Sequence, residues 1–250
     1  MLDLLRRVGD GCRRLQDDII VNVACTTVEC DELWSFVWCK ERTRIHKGYH
    51  AEETGDCYTW TAIEAKTKLM LAYAIGKRDN MTGADFARRL RRAVLGDCQI
   101  NTDGLGIYRS VIPMAFGRNQ DHAVIVKTFA RAADGEARYS PPQIVDIDIS
   151  AASGSPDLDA ASTSYIERSN LTVRMMLRRF TRLTNAHSRK WENHVAAQSL
   201  LFAYYNFCRV HMTLGTTPAV ESGLTNRVWT VQELIERAVP RELNWTGLTR

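Results

Sequence analysis

The chain has 250 residues, 45% of them hydrophobic and 25% charged, with a formal net charge of +4. That is enough for one substantial domain with a packed core, and it excludes wholesale disorder. Seven cysteines with no C-x-x-C pair argue against a disulfide framework or structural zinc. The N-terminus lacks a signal-peptide core and the apolar run 69–75 is too short for a bilayer, so a cytosolic chain with no membrane contact is expected.

In chain order, Leu4, Leu5, Val8, Cys12, Leu15 and Ile19 recur at three- and four-residue steps and predict a helix over residues 1–20. The period then changes: Val28 to Asp31 alternates, and Trp34, Phe36 and Trp38 favour a strand. Trp34 and Trp38 are read as core rather than as base-stacking groups. Residues 40–56 read as a loop or wide hairpin turn, and strands are predicted over 57–64 and 69–75. Thr82 and Asp85 fit a capping box before a helix marked by Phe86, Leu90 and Val94.

A fourth strand over 98–102 ends at Asp103-Gly104, a helix over 107–116 stops at Gly117, and a fifth strand covers 122–127. Residues 130–164 carry paired Pro, scattered Gly and Ser and six acids against two arginines, and read as a long surface insertion. Helices follow over 165–184 and 190–208, and a short one over 231–238. The order βββαβαβα predicts an α/β domain with a mixed five-stranded sheet and flanking helices over residues 23–225. Residues 1–22 form a separate N-terminal helix and 226–250 a C-terminal tail.

Three acids stand at special places in this order. Asp31 lies inside the first strand, Asp103 ends the fourth, and Glu167 opens the first Arg-rich helix. If the first and fourth strands are neighbours, Asp31 and Asp103 meet at one edge, and a helix packed there brings Glu167 to them. Clustered carboxylates repel one another unless a cation is present, and oxygen-rich sites suit Mg²⁺ or Mn²⁺. Two ions about 4 Å apart would serve in-line attack on a phosphodiester. Each acid also has a plain alternative: a strand-edge charge for Asp31, a turn at Asp103-Gly104, and a capping box from Ser164 to Glu167.

Between residues 165 and 211 there are eight Arg and Lys side chains against two acids, Glu167 and Glu192. Arg174, Arg178 and Arg182 fall at four-residue steps on the predicted helix, opposite Ile166, Val173, Leu177 and Phe180. Such a stripe suits successive phosphates with little sequence readout. Arg168, Arg179, Lys190 and His211 extend the candidate DNA-binding set, and a solubilising face is the plain alternative.

Asp31-Glu32-Leu33-Trp34-Ser35-Phe36-Val37, then Thr102-Asp103-Gly104 with Tyr108, then Tyr165-Ile166-Glu167-Arg168-Ser169-Asn170-Leu171 resemble the three catalytic blocks of the insertion-sequence-one family of DDE transposases. Residues 55–68, 178–185 and 205–211 are similar too, so the resemblance covers nearly the whole chain, and Thr217-Pro218-Ala219 is similar to an ending shared by many transposases and integrases. It implies a ribonuclease-H-like fold, with Asp31, Asp103 and Glu167 as catalytic triad and metal ligands for two Mg²⁺ or Mn²⁺ ions. Asn170, one turn beyond Glu167 on the same helix face, would support those ligands, and a solvent-facing polar residue is its plain alternative.

The implied reaction is hydrolysis at element ends followed by strand transfer into target DNA, by a nucleoid-associated bacterial enzyme. The implied partners are the terminal inverted repeats, target DNA and further copies of the chain assembled on DNA. Family members commonly carry an N-terminal zinc ribbon and helix-turn-helix; here residues 1–22 resemble only the last helix of that unit. That leaves three alternatives: one reading frame of a longer product whose upstream-frame partner or fusion supplies the rest, a fragment, or a member that recognises DNA differently. The span from Asp103 to Glu167 is also longer than in the best-known members. Two other readings stand beside this one: an inactive or inhibitory DNA-binding product, and a nuclease of the same fold that cuts without joining.

Overall fold

The computed structural model describes residues 1–49, 53–130, 143–181 and 185–239. In chain order the elements are α1 (Leu2–Ile19), β1 (Val23–Ala24), β2 (Thr27–Val37), α2 (Glu41–Lys47), β3 (Gly55–Glu64), β4 (Met70–Gly76), α3 (Asn80–Ala93), β5 (Val94–Leu95), β6 (Gln99–Thr102), α4 (Tyr108–Phe116), β7 (His122–Phe129) and β8 (Ile144–Ser153). The helices α5 (Ser164–Met176), α6 (Trp191–Phe207), α7 (Pro218–Glu221) and α8 (Val231–Ala238) follow, with a 3₁₀ turn at Arg178–Phe180 between α5 and α6.

The architecture is mixed α/β. Six strands form one sheet in the order β4-β3-β2-β6-β7-β8, and β1 and β5 form a separate two-stranded parallel pair. β3 is antiparallel to both β2 and β4, β6 runs parallel to β2 and β7, and β8 is antiparallel to β7. Alternation along β2 sends side chains to opposite faces. Val28 and Cys30 join Trp60, Phe86, Leu90 and Tyr108 in one core. Leu33 joins Ile166, Val173, Phe180 and Phe202 in another, so α5 and α6 cover the face opposite α3 and α4.

The strand count departs from the expected five. Residues 144–153, read as part of a surface insertion, pair along β7 from His122 to Phe129 and become the last strand of the sheet. Their side chains are largely exposed, and their alternation of Asp and Ile lies within a stretch whose Pro, Gly and acid content reads as a loop. Within the stretch read as a loop over 40–56, α2 forms, closed by Arg44 bonded to Glu41 and by Gly48 at φ 65°. α3 begins earlier than the Thr82–Asp85 pattern implied: Asp79 is its cap, accepting from the Thr82 amide at 2.8 Å, and Val94 belongs to β5.

The helix expected over 165–184 ends at Met176. Leu177 is extended (φ −114°, ψ 103°), and the chain folds back so that Phe180, 2% exposed, packs beside Ile166 and Val173. Burying that ring contributes roughly 2–3 kcal/mol to holding the turn. Trp38, expected in the core, is 47% exposed where the chain leaves β2 at positive φ, and Trp34 is half-buried beside Phe36. Among the described residues the tryptophan with no exposure is Trp60, packed against Phe86 and Tyr108.

α1 packs on α6 and α8. A Cβ on Gly9 would meet the Ala196 backbone oxygen at 2.4 Å, and one on Gly11 that of Ala238 at 2.0 Å, so only glycine allows these approaches. All seven cysteines are free. Among the described residues no helix is long and apolar enough to cross a membrane.

Candidate metal centre and basic surface

β2 and β6 lie side by side and parallel, which brings Asp31, inside β2, beside Asp103, just past the end of β6. Oxygens of Asp31, Glu32 and Asp103 all lie within 4.8 Å of one another. Asp31 Oδ1 accepts from the Glu32 amide at 2.7 Å, and Oδ2 accepts from Asn170 Nδ2 at 2.8 Å. Asp103 Oδ1 accepts from the Leu105 amide at 2.9 Å, which fixes the turn after β6.

Glu32 was not singled out by the sequence, although it sits beside Asp31. Its side chain is only 2% exposed; Oε2 accepts from Arg78 Nε at 3.2 Å and Nη2 at 3.1 Å. Oε1 is buried without a hydrogen-bond partner, and the Tyr108 hydroxyl beside it does not reach bonding geometry. Arg78 Nη2 also lies 4.0 Å from Asp103 Oδ2, so one guanidinium spans two of the three acids. Burial, then the neighbouring Asp103, pushes the Asp31 carboxyl up to about 6 and that of Glu32 to about 7. Three oxygen donors this close, with one buried oxygen unpartnered, fit a hard divalent cation.

Glu167 lines the same cleft, an open space of about 460 Å³ bounded also by Asp31, Asn170 and Arg174. Its carboxylate is not part of the three-acid group. Oε1 accepts from Thr163 Oγ1 at 2.7 Å and pairs with Lys127 of β7. The capping box from Ser164, the plain alternative for Glu167, does not form. Thr163 is the N-cap and makes no side-chain cap bond, while the Tyr165 and Ile166 amides donate to Glu29. Asn170 is 6% exposed rather than solvent-facing, and the Thr61 hydroxyl lies 3.5 Å from its Oδ1.

The basic residues do not form one helical stripe. Arg168 and Arg178 are exposed, the latter on the 3₁₀ turn beyond the end of α5. Arg174 Nη1 donates to the Phe180 carbonyl at 3.2 Å and so ties that turn to α5. Arg179 is half-buried and donates to Ser188 Oγ at 3.0 Å; Ser188 in turn lies 2.8 Å from His194 Nδ1. Lys190 is exposed, and Arg182 lies outside the described residues. His211 Nδ1 lies 3.0 Å from Thr213 Oγ1, and burial, then Arg209 and Lys68, holds its imidazole below the usual range.

Glu29, Glu32, Arg78 and Lys127 went unread in the sequence. Glu29 and Glu32 left a signal, as acids inside an apolar strand that must each find a partner. Arg78 and Lys127 left none, because only the tertiary fold brings them to the carboxylates. Compared with models of protein families and with curated protein sequences, the chain matches none.

Proposed function

We propose that the chain is the catalytic domain of a DNA transposase with a ribonuclease-H-like fold. The observation that carries this reading is the convergence of Asp31, Glu32 and Asp103 within 4.8 Å at the β2–β6 edge, with Asn170 and Glu167 of α5 on the same cleft. The order β4-β3-β2-β6-β7, with the first three strands antiparallel and the last two parallel to β2, supports the fold assignment.

Asp31 and Asp103 would hold Mg²⁺ or Mn²⁺, with Glu32 at hand and Glu167 joining on release from Lys127. Bound there, divalent cations activate a water or 3′-hydroxyl and stabilise the leaving oxygen of a phosphodiester. Asn170 would orient Asp31, and the exposed Arg178, on the same turn as the cleft-lining Phe180, would serve as a phosphate contact, with Arg168 and Lys190 extending the basic surface. In the first step a water oxygen would bond to phosphorus as the P–O3′ bond breaks and the 3′-oxygen leaves as a hydroxyl. In the second that hydroxyl oxygen would bond to a target phosphorus, lose its proton, and displace the target strand's own 3′-oxygen, which leaves as a hydroxyl. Further copies of the chain on DNA, and a partner that recognises the element ends, belong to this proposal.

The test is incubation with labelled DNA carrying the element's own ends and a target plasmid, in Mg²⁺ or EDTA. Metal-dependent cleavage with joined products, lost in Asp103→Asn, is the expected result. The pairing of Glu167 with Lys127 favours a second reading, a DNA-binding product without turnover, whose signature is binding with no cut or joined strand. Cleavage without joining would instead identify a nuclease.

A further inference from the structure

Glu29 lies two residues before Asp31 on β2, so the two side chains leave the same face of the strand. It is 1% exposed, and its Oε2 accepts the Tyr165 amide at 2.8 Å and the Ile166 amide at 2.9 Å. These are orphan donors of the first turn of α5, which a cap from the helix's own chain normally satisfies. A serine or threonine cap would satisfy them without tying the helix to anything else. A carboxylate from a strand 136 residues earlier also fixes where along that strand the helix sits.

The spacing makes this a matched pair of anchors. From Glu29 to Asp31 the strand advances about 6.6 Å. From Ile166 to Asn170 the helix advances about 6 Å. Glu29 therefore takes the helix amides while Asp31 takes the Asn170 amide one turn later, and Glu167 lies between the two anchors. The adjacent strand repeats the hold: Asn101, in register with Glu29, donates to the Ser162 carbonyl at 3.1 Å. Burying a carboxylate is costly, and two amide bonds at the positive end of a helix offset that cost.

We propose that Glu29 is a positioning residue: its carboxylate pins the start of α5 to β2, so that Asn170 and Glu167 face Asp31 in the register the metal centre needs. This rests on the metal-dependent reading of the cleft. The reach of the side chain, rather than its charge, is what the geometry uses.

The test compares the full chain with Glu29→Gln, which keeps the reach, Glu29→Asp, which keeps the charge but falls short, and Leu90→Ala, a cavity in the opposite core. Mn²⁺ affinity and hydrogen exchange at the Tyr165 and Ile166 amides are measured for each. Glu29→Asp should lose about 10-fold in Mn²⁺ affinity and the protection of both amides. Glu29→Gln should stay within about 3-fold and keep that protection, and Leu90→Ala should melt earlier with Mn²⁺ affinity unchanged. Wild-type affinity and protection in Glu29→Asp would overturn the proposal, as would an equal loss of affinity in Leu90→Ala. A wild type that takes no Mn²⁺ overturns the reading of the cleft instead, and amide exchange in Glu29→Asp then judges the anchor alone: lost protection supports it and retained protection refutes it.

Discussion

Asn170 Nδ2 donates to Asp31 Oδ2 at 2.8 Å, a bond that joins the helix carrying Glu167 to the strand carrying the most buried part of the acidic centre. The carboxylate, which can only accept, fixes the amide's sense; the Thr61 hydroxyl donates to the Asp31 carbonyl at 3.0 Å and lies 3.5 Å from Asn170 Oδ1. A carboxylate oriented this way presents its remaining lone pairs in one direction. Replacing Asn170 with Ala is expected to weaken Mn²⁺ binding about 10-fold, measured by calorimetric titration, while the far-ultraviolet spectrum stays unchanged.

The two raised carboxyls give a pH signature. Asp31 titrates near 6 in the fold against about 4 in the unfolded chain, so between those values the folded form holds more protons. The metal-free protein therefore loses stability from this group as pH rises from about 4 to 6, on the order of 3 kcal/mol, and the loss persists above. His122 and His194, buried and held at about 4, act oppositely: their contribution is present above about 6.5 and lost as pH falls through 4. The difference between wild type and Asp31→Asn in denaturant melts isolates the carboxyl. That difference should fall with rising pH; a flat difference would mean that burial and the neighbouring Asp103 do not raise the Asp31 carboxyl.

Lys127 pairs with Glu167 at the rim of the cleft, where Glu167 is 47% exposed. A pair this accessible is worth no more than about 1 kcal/mol. In Lys127→Met the carboxylate is released toward Asp31 and Asp103, and Mn²⁺ affinity should rise about 2- to 5-fold. Lower affinity would mean that the lysine supports the site rather than competing for it.

Two neighbouring arginines should behave differently. Arg178→Ala removes an exposed charge, so DNA affinity should fall and the slope of log affinity against log salt should shrink by about 1. Arg179→Ala breaks the chain from Arg179 through Ser188 to His194 and should cost about 1–2 kcal/mol of stability in urea melts. Equal salt slopes in the two variants would refute this division.

Gly11→Ala places a methyl group 2.0 Å from the Ala238 carbonyl oxygen, and the backbone must shift to relieve it. A loss of about 1–3 kcal/mol is expected, seen as a lower melting temperature. An unchanged melting curve would mean that α1 is loosely attached and independent of α8.

Much of the fold follows from periodicity. The alternation of Val28 to Asp31 and the heptad-like steps of Leu4 to Ile19 each report one face of one element, and both elements form where those patterns lie. β8 was missed although Asp146 and Asp148 alternate with Ile147 and Ile149 at a strand's period, because that short run sits in a Pro-, Gly-, Ser- and acid-rich stretch whose composition reads as a loop. The break after Met176 was missed because Leu177 and Phe180 fit a helix period equally well, and only the position of the second core shows that the ring must turn inward. At the site, Asp31 and Asp103 were readable as acids at strand positions. The pairing of Glu167 with Lys127, and of Glu32 with Arg78, depends on which strands become neighbours, which no local pattern encodes.

β8 is the outermost strand beside β7, and β7 carries Lys127. Trimming residues 144–153 as if they were dispensable loop would therefore do more than shorten the chain. It would strip the backbone of β7 of its partner from His122 to Phe129 and leave a raw margin, open to pairing with any other extended chain. The same cut would loosen the lysine that now restrains Glu167. A shortened protein would thus be expected to clump, and to do so with its acidic centre altered from two strands away.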